Sequence, residues 1–391
     1  MYPYLDNQAL ADLLAGRLPA SGATGWDAGL PHVQFTVPGD PARDGEATLE
    51  SLRRAILGEG VAEIRVEGIS GLRAEAIHEE TEKLDADQRS PGALSDKGVP
   101  ARLSAVMWVV NLVAVVAPFL GLVGAGVFLW GWAFSWVHLG LLLGMYALTA
   151  LGITIGFHRL FSHRAFETNR LIQFLLAALG SMAAEGPLLK WVALHRRHHQ
   201  HSDQPGDPHS PHQEGRGLLG LLRGLWHAHV GWVFRPDPPD LSRYVKDLHQ
   251  SGLLRKASAL FPLWVVIGLL LPAALGGLLM GTWMGALFGL LWGGLARIFL
   301  VHHVTWSVNS ICHVWGRRPF RTNDSSRNNF LFGILALGEG WHNNHHAFPT
   351  SARHGLRWWQ IDMSYWVIRA LAVLGLAWKV GLPARRLLTT R

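Results

Sequence analysis

Four long stretches almost free of charge constrain this chain more than any other feature. Leu103 to Trp130 carries no charged side chain, and Trp132 to Gly156 has no Asp, Glu, Lys or Arg. Leu260 to Gly281 and Trp283 to Phe299 form a second pair, interrupted only by Arg297 near its end. A bilayer span needs about 20 apolar residues, so each stretch is long enough to cross or nearly cross. Within a pair the connection is one uncharged residue, Gly131 or Thr282. Lys and Arg lie almost wholly outside the pairs, so both hairpins are expected to dip into the membrane from the cytoplasmic side. The expected fold is an all-α integral membrane protein with four transmembrane helices, a cytosolic helical cap and a small soluble N-terminal segment.

Charge divides the chain at the same place. Residues 1–100 hold 17 acidic and 9 basic residues, a net of −8; the remaining residues hold 11 acids and 26 bases, a net of +15. A basic membrane domain suits anionic headgroups or anionic substrates. Nucleic acid is not expected as a partner, because the basic residues are scattered between apolar spans. The domain division read here is 1–100, an acidic extension, and 101–391, the membrane domain. Within the extension, Thr48 to Leu57 and Gly71 to Leu84 read as helices, Ala62 to Val66 as a strand and Ser90 to Pro100 as a linker. No basic-then-apolar leader opens the chain, so no signal peptide is expected. Cys312 is the only cysteine, which excludes an intrachain disulfide, a four-cysteine zinc site and a cysteine-held Fe–S cluster. Any metal must be held by His, Asp or Glu.

Three clusters stand out among the 21 histidines: His158 with His163, then His195, His198 and His199, then His342, His345 and His346. Positions i, i+3 and i+4 share one helical face, so each triplet is expected to aim three imidazoles at one spot. The i, i+5 pair His158 and His163 would be about 140° apart on an α-helix. It is therefore expected to straddle the end of the second span. A solitary triplet is usually a solvated surface. Eight histidines in three clusters exceed one metal ion's demand, and neutral imidazole suits Fe, Zn, Cu and Ni. The clusters can meet only if they lie on one membrane face. Leu171 to Leu189, interrupted by Glu185 and Pro187, is therefore expected not to cross but to lie in the interface or the cap.

The strings ALGITIGFHRLFSH, WVALHRRHH, DPHSP, HVGWVF, VTWSVNSICHVWG and GEGWHNNHHAFP, in that order between Leu103 and Pro383, resemble the membrane acyl desaturases of the stearoyl-CoA Δ9 type, the bacterial branch above all. The resemblance implies O2-dependent desaturation of a fatty acyl chain, as a thioester or lipid, at a centre of two Fe ions. It implies His313 as a ninth ligand beside the eight clustered histidines, and Asn309 holding a metal-bound water. It also implies an acyl tunnel bent at Trp191, Thr305 and Trp306 and closed by Tyr146 and Ala150. His209 and His229 match the family pattern without a ligand role, and His201, His212, His302 and His303 match none. Ala193 and Leu194 stand where animal acyl-CoA desaturases carry an Arg–Asp pair, which weighs against acyl-CoA. No haem-binding His-Pro-Gly-Gly element is present, so a separate ferredoxin- or reductase-type electron donor is implied. The expected location is the bacterial cytoplasmic membrane, with the metal site and both termini cytosolic. A hydroxylase, ketolase or acetylenase of the same superfamily is the nearest alternative. A membrane metal binder or transporter is the non-enzymatic one, disfavoured by spans almost free of ionisable groups.

Overall fold

The computed structural model describes residues 33–35, 64–66, 103–129 and 135–384. In the N-terminal part, β1 (Val33–Phe35) pairs antiparallel with β2 (Ile64–Val66). The strand expected over Ala62 to Val66 is therefore present in shortened form. The two helices and the linker expected in this region, and the turn at Gly131, lie outside the described residues.

The rest is mostly helical. Four helices are long and apolar enough to cross a membrane: Ala105–Val127, Trp136–Ser162, Phe261–Met280 and Trp283–His313. The first belongs to α1 (Ala105–Leu129). The second comprises α2 (Trp136–Leu151) and a π-helical extension, Gly152–Ser162. Ser135 starts α2 by accepting the Val137 amide, the usual remedy for unpaired N–H groups at a helix start. Between α2 and the third span lie α3 (Arg170–Met182), α4 (Leu188–His201), α5 (Gly217–His229) and α6 (Gly252–Ala259). The third span is α7 (Phe261–Met280). The fourth runs through α8 (Trp283–Gly289), a π segment (Leu290–Ala296) and α9 (Arg297–Ser310). Three short helices follow: α10 (Phe330–Leu335), α11 (His342–Ala347) and α12 (Met363–Val373). A small ladder of β3 (Glu167–Thr168) and β4 (Ala377–Trp378) returns the chain to the end of the second span.

The helix α3 covers most of the apolar stretch Leu171 to Leu189. At 13 residues it is too short to cross, as expected from the requirement that the histidine clusters meet. The α7–α8 turn uses Gly281 in the left-handed region (φ 65°), and Thr282 caps α8 through the Gly285 amide. Their backbones then run so close that a Cβ on Gly289 would sit 2.2 Å from the Pro272 carbonyl oxygen. Lipid supplies no hydrophobic drive between spans, and small residues let dispersion hold them together. The spans divide labour: about half of the second and fourth is buried within the protein, against 11% and 17% for the first and third. The second and fourth spans are the ones that lead into the histidine clusters.

Arg297 is fully buried and forms no ion pair with a carboxylate among the described residues. Its guanidinium donates to the carbonyls of Met182 (2.6 Å), Gly268 (2.7 Å) and Gly293 (3.2 Å). It thereby fastens the C-terminal end of α3 and the middle of α7 to the fourth span.

Candidate metal centre

The π-helical extension of α2 changes the geometry expected for the first histidine pair. A π-helix closes i→i+5 hydrogen bonds, and the His163 amide indeed donates to the His158 carbonyl at 3.1 Å. Residues five apart therefore fall one turn apart, not about 140° apart as on an α-helix. The two imidazoles meet edge to face with centroids 4.8 Å apart.

The two triplets also behave differently from the expectation of three imidazoles at one spot. Residues i and i+4 of each triplet enter one group and residue i+3 enters the other. His158, His163, His195, His199 and His345 form the first group, and His198, His313, His342 and His346 the second. The reason is angular: at about 100° per residue, i+3 and i+4 diverge enough to serve two centres side by side. The helices α4 and α11 are thus interlocked, each giving two imidazoles to one group and one to the other. All nine histidines singled out from the sequence fall into these two groups.

Short helix α11 needs outside support, and Asn343 and Asn344 supply it. Asn343 accepts the Phe320 amide (2.8 Å), while Asn344 donates to the His354 carbonyl (2.8 Å) and accepts from Asn328 (2.6 Å). The asparagines between the histidines are buried clamps.

Within the groups the Nε2 atoms converge. His158 and His345 approach to 3.1 Å, His163 and His195 to 2.8 Å, and His199 and His345 to 2.9 Å. In the second group His342 lies 3.0 Å from both His313 and His346. Adjacent ligands at right angles, each about 2.1 Å from one ion, are separated by about 3 Å. The buried Nε2 of His198 has no hydrogen-bond partner. The donor set therefore fits two imidazole-bound metal ions.

Carboxylates grip the far side of four of these rings. Glu339 lies 2.6 Å from His158 Nδ1, Asp207 3.0 Å from His198, Asp203 2.9 Å from His313 and Asp324 2.6 Å from His346. Burial alone would raise these carboxyls, but their imidazole partners hold all four well below the usual range. Such contacts orient a ligating ring and raise its basicity. Burial, then neighbouring imidazoles, pushes His163, His195, His199, His342 and His345 well below their ordinary value, which favours the neutral form that ligates metal. Burial lowers His346 to about 4, whereas for His198 burial is outweighed by Asp207, Asp203 and Asp324 together, which raise it.

The sequence reading passed over these four carboxylates as ligand partners. DPHSP contains Asp207 and GEGW contains Glu339, but Asp203 and Asp324 belong to no string that stood out. His354 was also missed. It is fully buried, 3.2 Å from Glu339 and 4.5 Å between ring centres from His345. A lone histidine eight residues past the last cluster carries no spacing signal. His209 packs on His198, His212 meets the His313 carbonyl, His229 pairs with His303, and His302 meets the Ala183 carbonyl.

Two cavities flank the groups. The narrower is lined by Tyr146, Ala150, Trp191, Thr305, Asn309, His158, His195 and His342, among others. The larger, about 790 Å³, is shared by the first and third spans and the polar residues Lys190, Arg197 and Arg235, and meets the narrower one at Trp191, His195, Thr305 and Asn309. Trp306 lines the larger cavity beside this junction, stacked on His302 at 4.8 Å. Its neighbour Thr305 points to both because successive helix residues diverge.

A family model for fatty acid desaturases matches residues 130–379. The chain is 47% identical over 278 residues to a hex-5-enoyl-[acyl-carrier protein] acetylenase of Moorena producens, covering 71% of this chain and 87% of that protein. It is 39% identical over 281 residues to the chloroplastic palmitoyl-monogalactosyldiacylglycerol delta-7 desaturase of Arabidopsis thaliana, 72% and 68% of the two chains. It is 38% identical over 256 residues to an sn-1 stearoyl-lipid 9-desaturase of Anabaena variabilis, 65% and 87% of the two chains. The chain belongs to the fatty acid desaturase family.

Proposed function

We propose that this oxidoreductase inserts a double bond into a fatty acyl chain, using O2 and two electrons from a separate ferredoxin- or reductase-type protein, at two Fe ions held by the nine histidines. The observation that carries the reading is the narrow cavity that starts at Tyr146 and Ala150 and ends on His158, His195 and His342, which belong to both imidazole groups. A methylene C–H bond yields to no side-chain acid or base, and the bound iron pair supplies the oxidising power that these residues lack.

The protein's own work is placement. His158, His163, His195, His199 and His345 would hold one ion and His198, His313, His342 and His346 the other, and Asn309, which lines both cavities, would hold a metal-bound water. The Glu339, Asp203, Asp207 and Asp324 carboxylates fix ring orientation and tautomer. Trp191 and Thr305 set the bend, and Tyr146 and Ala150 stop the methyl end, so two adjacent methylenes rest beside the ions. The Tyr146 hydroxyl donates to the Leu335 carbonyl at 2.7 Å, which anchors that floor.

The acyl chain arrives as a thioester on a carrier protein. Leu194, apolar where a charged partner of the CoA headgroup would stand, lines the larger cavity; of the bases there Lys190 is paired with Asp237 and Arg235 with Glu214, which leaves Arg197 to meet an acidic carrier. A second reading, formation of a triple bond, has a specific basis in the 47% likeness to an acetylenase. The enzyme resides in the bacterial cytoplasmic membrane with its ions on the cytosolic side. Expression in a desaturase-deficient host, with mass spectrometry that locates unsaturation, tests all of these. A new olefin at one position is expected. A triple bond would favour the second reading, unsaturation confined to intact lipids would remove the carrier thioester, and an unchanged lipid profile from an iron-loaded protein would refute the whole assignment.

A further inference from the structure

Glu185 occupies a turn that the fold goes out of its way to build. Its neighbours Ala184 (φ 63°) and Gly186 (φ 116°) both lie in the left-handed region, which is costly for alanine. Two side chains of the fourth span pin the approach to this turn. Arg297 holds the Met182 carbonyl and His302 the Ala183 carbonyl at 3.0 Å. The result is a carboxyl group lining the larger cavity next to its junction with the narrow one. Its Oε2 accepts the Trp191 indole N–H at 3.0 Å, the Thr305 hydroxyl lies near enough to favour the ionised carboxyl, and the buried Oε1 makes no well-formed hydrogen bond. A buried, half-satisfied carboxyl at such a point calls for an account.

We infer that Glu185 is the proton-handling group of this site, taking protons from the larger cavity and releasing them into the reaction chamber. The inference rests on the desaturase reading. In that reaction a CH2–CH2 pair, O2, two electrons from the donor protein and two protons become CH=CH and two waters. The substrate's two hydrogens and the two added protons all end in water. Two protons must therefore reach a chamber lined mainly by apolar side chains and imidazoles, whose carboxylate, Glu339, is engaged by His158 and Arg159. The proton on Glu185 leaves for the product water and is replaced from the larger cavity, so the residue is unchanged after each turnover.

The other carboxyls beside the centre are unsuited to this task. Asp203, Asp207, Asp324 and Glu339 are kept ionised by imidazole partners. Burial raises Glu185 to about 7, against the pull of Trp191 and Thr305 towards the ionised form. A group with that value gives and takes protons near neutrality with equal ease. The ionisable groups on the elements around it are Tyr146 on α2, Lys190, His195 and Arg197 on α4, Asp207, His209 and Glu214 between α4 and α5, His227 on α5, Arg235 and Asp237 after α5, and Arg297 and His302 on α9.

The test compares the full-length iron-loaded wild type with Glu185→Gln. Glutamine keeps an oxygen for the Trp191 N–H, so the bend is retained while the acid is lost. Turnover is expected to fall roughly a hundredfold, the usual scale for a proton-transfer group, with KM, iron content and double-bond position unchanged. The wild-type rate should show a pH dependence near neutrality that the variant lacks. Infrared titration gives a readout independent of turnover: a carboxylic-acid band that disappears near pH 7 in the wild type and is missing from the variant. Wild-type turnover and pH profile in Glu185→Gln, or an identical infrared titration in both proteins, would overturn the proposal. A shifted double bond with an unaltered rate would also overturn it, leaving Glu185 as a support for Trp191. If the iron-loaded wild type makes no olefin, the underlying desaturase reading fails instead, and the infrared band still decides whether Glu185 carries the proton.

Discussion

His198 and His345 are each the i+3 member of a triplet, and each crosses to the group that its neighbours do not join. Replacing either with alanine is expected to abolish product and to remove one ion while the protein still inserts in the membrane. Iron analysis of the purified variants checks this, and two retained ions in either would break the assignment of ligands. His249, which belongs to no group, is the control and should be mild when changed to alanine. Asp207→Asn keeps the volume but weakens the hold on His198. A loss of metal affinity of about 10–100-fold is expected, as for other partners of ligating rings. Equilibrium titration of the metal-free protein with Fe(II) measures it. At the other end of the narrow cavity, Ala150→Leu should shorten the preferred acyl chain. Each excluded methylene forfeits about 0.8 kcal/mol of burial, and overlap costs more. The product distribution from mixed chain lengths reports the outcome, with Ala147→Leu, off the cavity lining, as control. These residues were legible to different degrees. Histidines announced themselves by type and spacing, whereas Asp203, Asp324 and His354 had no local pattern because their partners are distant in sequence.

Helical register is the decisive property of the elements. The π-helical extension Gly152–Ser162 is what brings His158 and His163, five residues apart, onto one face. Deleting Leu160 should displace the downstream His163 and cost the five-histidine group its ion, with the four-histidine group still loaded. A drop of iron content by one ion, followed by Mössbauer spectroscopy, would show it; full occupancy would mean that the extra residue has no such role. The spans themselves predict accessibility. With Cys312→Ser as background, single cysteines at Gly131 and Thr282 should label from one side of the membrane, and cysteines at Ser90 and Thr390 from the other. Labelling of all four from one side would dismantle the hairpin topology. Arg297 makes a third test at this scale. Arg297→Leu strands the carbonyls of Met182 and Gly268, at a cost of about 1–3 kcal/mol for each buried group left unpaired. Lowered thermal stability in detergent is expected, together with loss of the Glu185 turn that Arg297 helps to hold.

For the whole molecule, the proposed ligands and both cavities lie after residue 104, and the family match begins at residue 130. A chain beginning at Gly98 should therefore keep its iron and desaturate with an artificial electron supply. The acidic extension would then act in solubility or in docking a basic donor protein. Loss of iron on truncation would make it integral to the membrane domain. The class of molecule was settled by the sequence alone. Spans of about 20 apolar residues have one stable solution in lipid, the helix, because every backbone polar group must be paired within the segment. Three histidine clusters on non-crossing connections must then share a face. The division of nine histidines into five and four was decided only in three dimensions. It depends on a π register in one helix and on the 100° step between successive residues in two others. The carboxylates behind the rings, the Arg297 tether and the turn that presents Glu185 likewise join residues many positions apart. Such pairings are set by how the helices pack, which no local periodicity encodes.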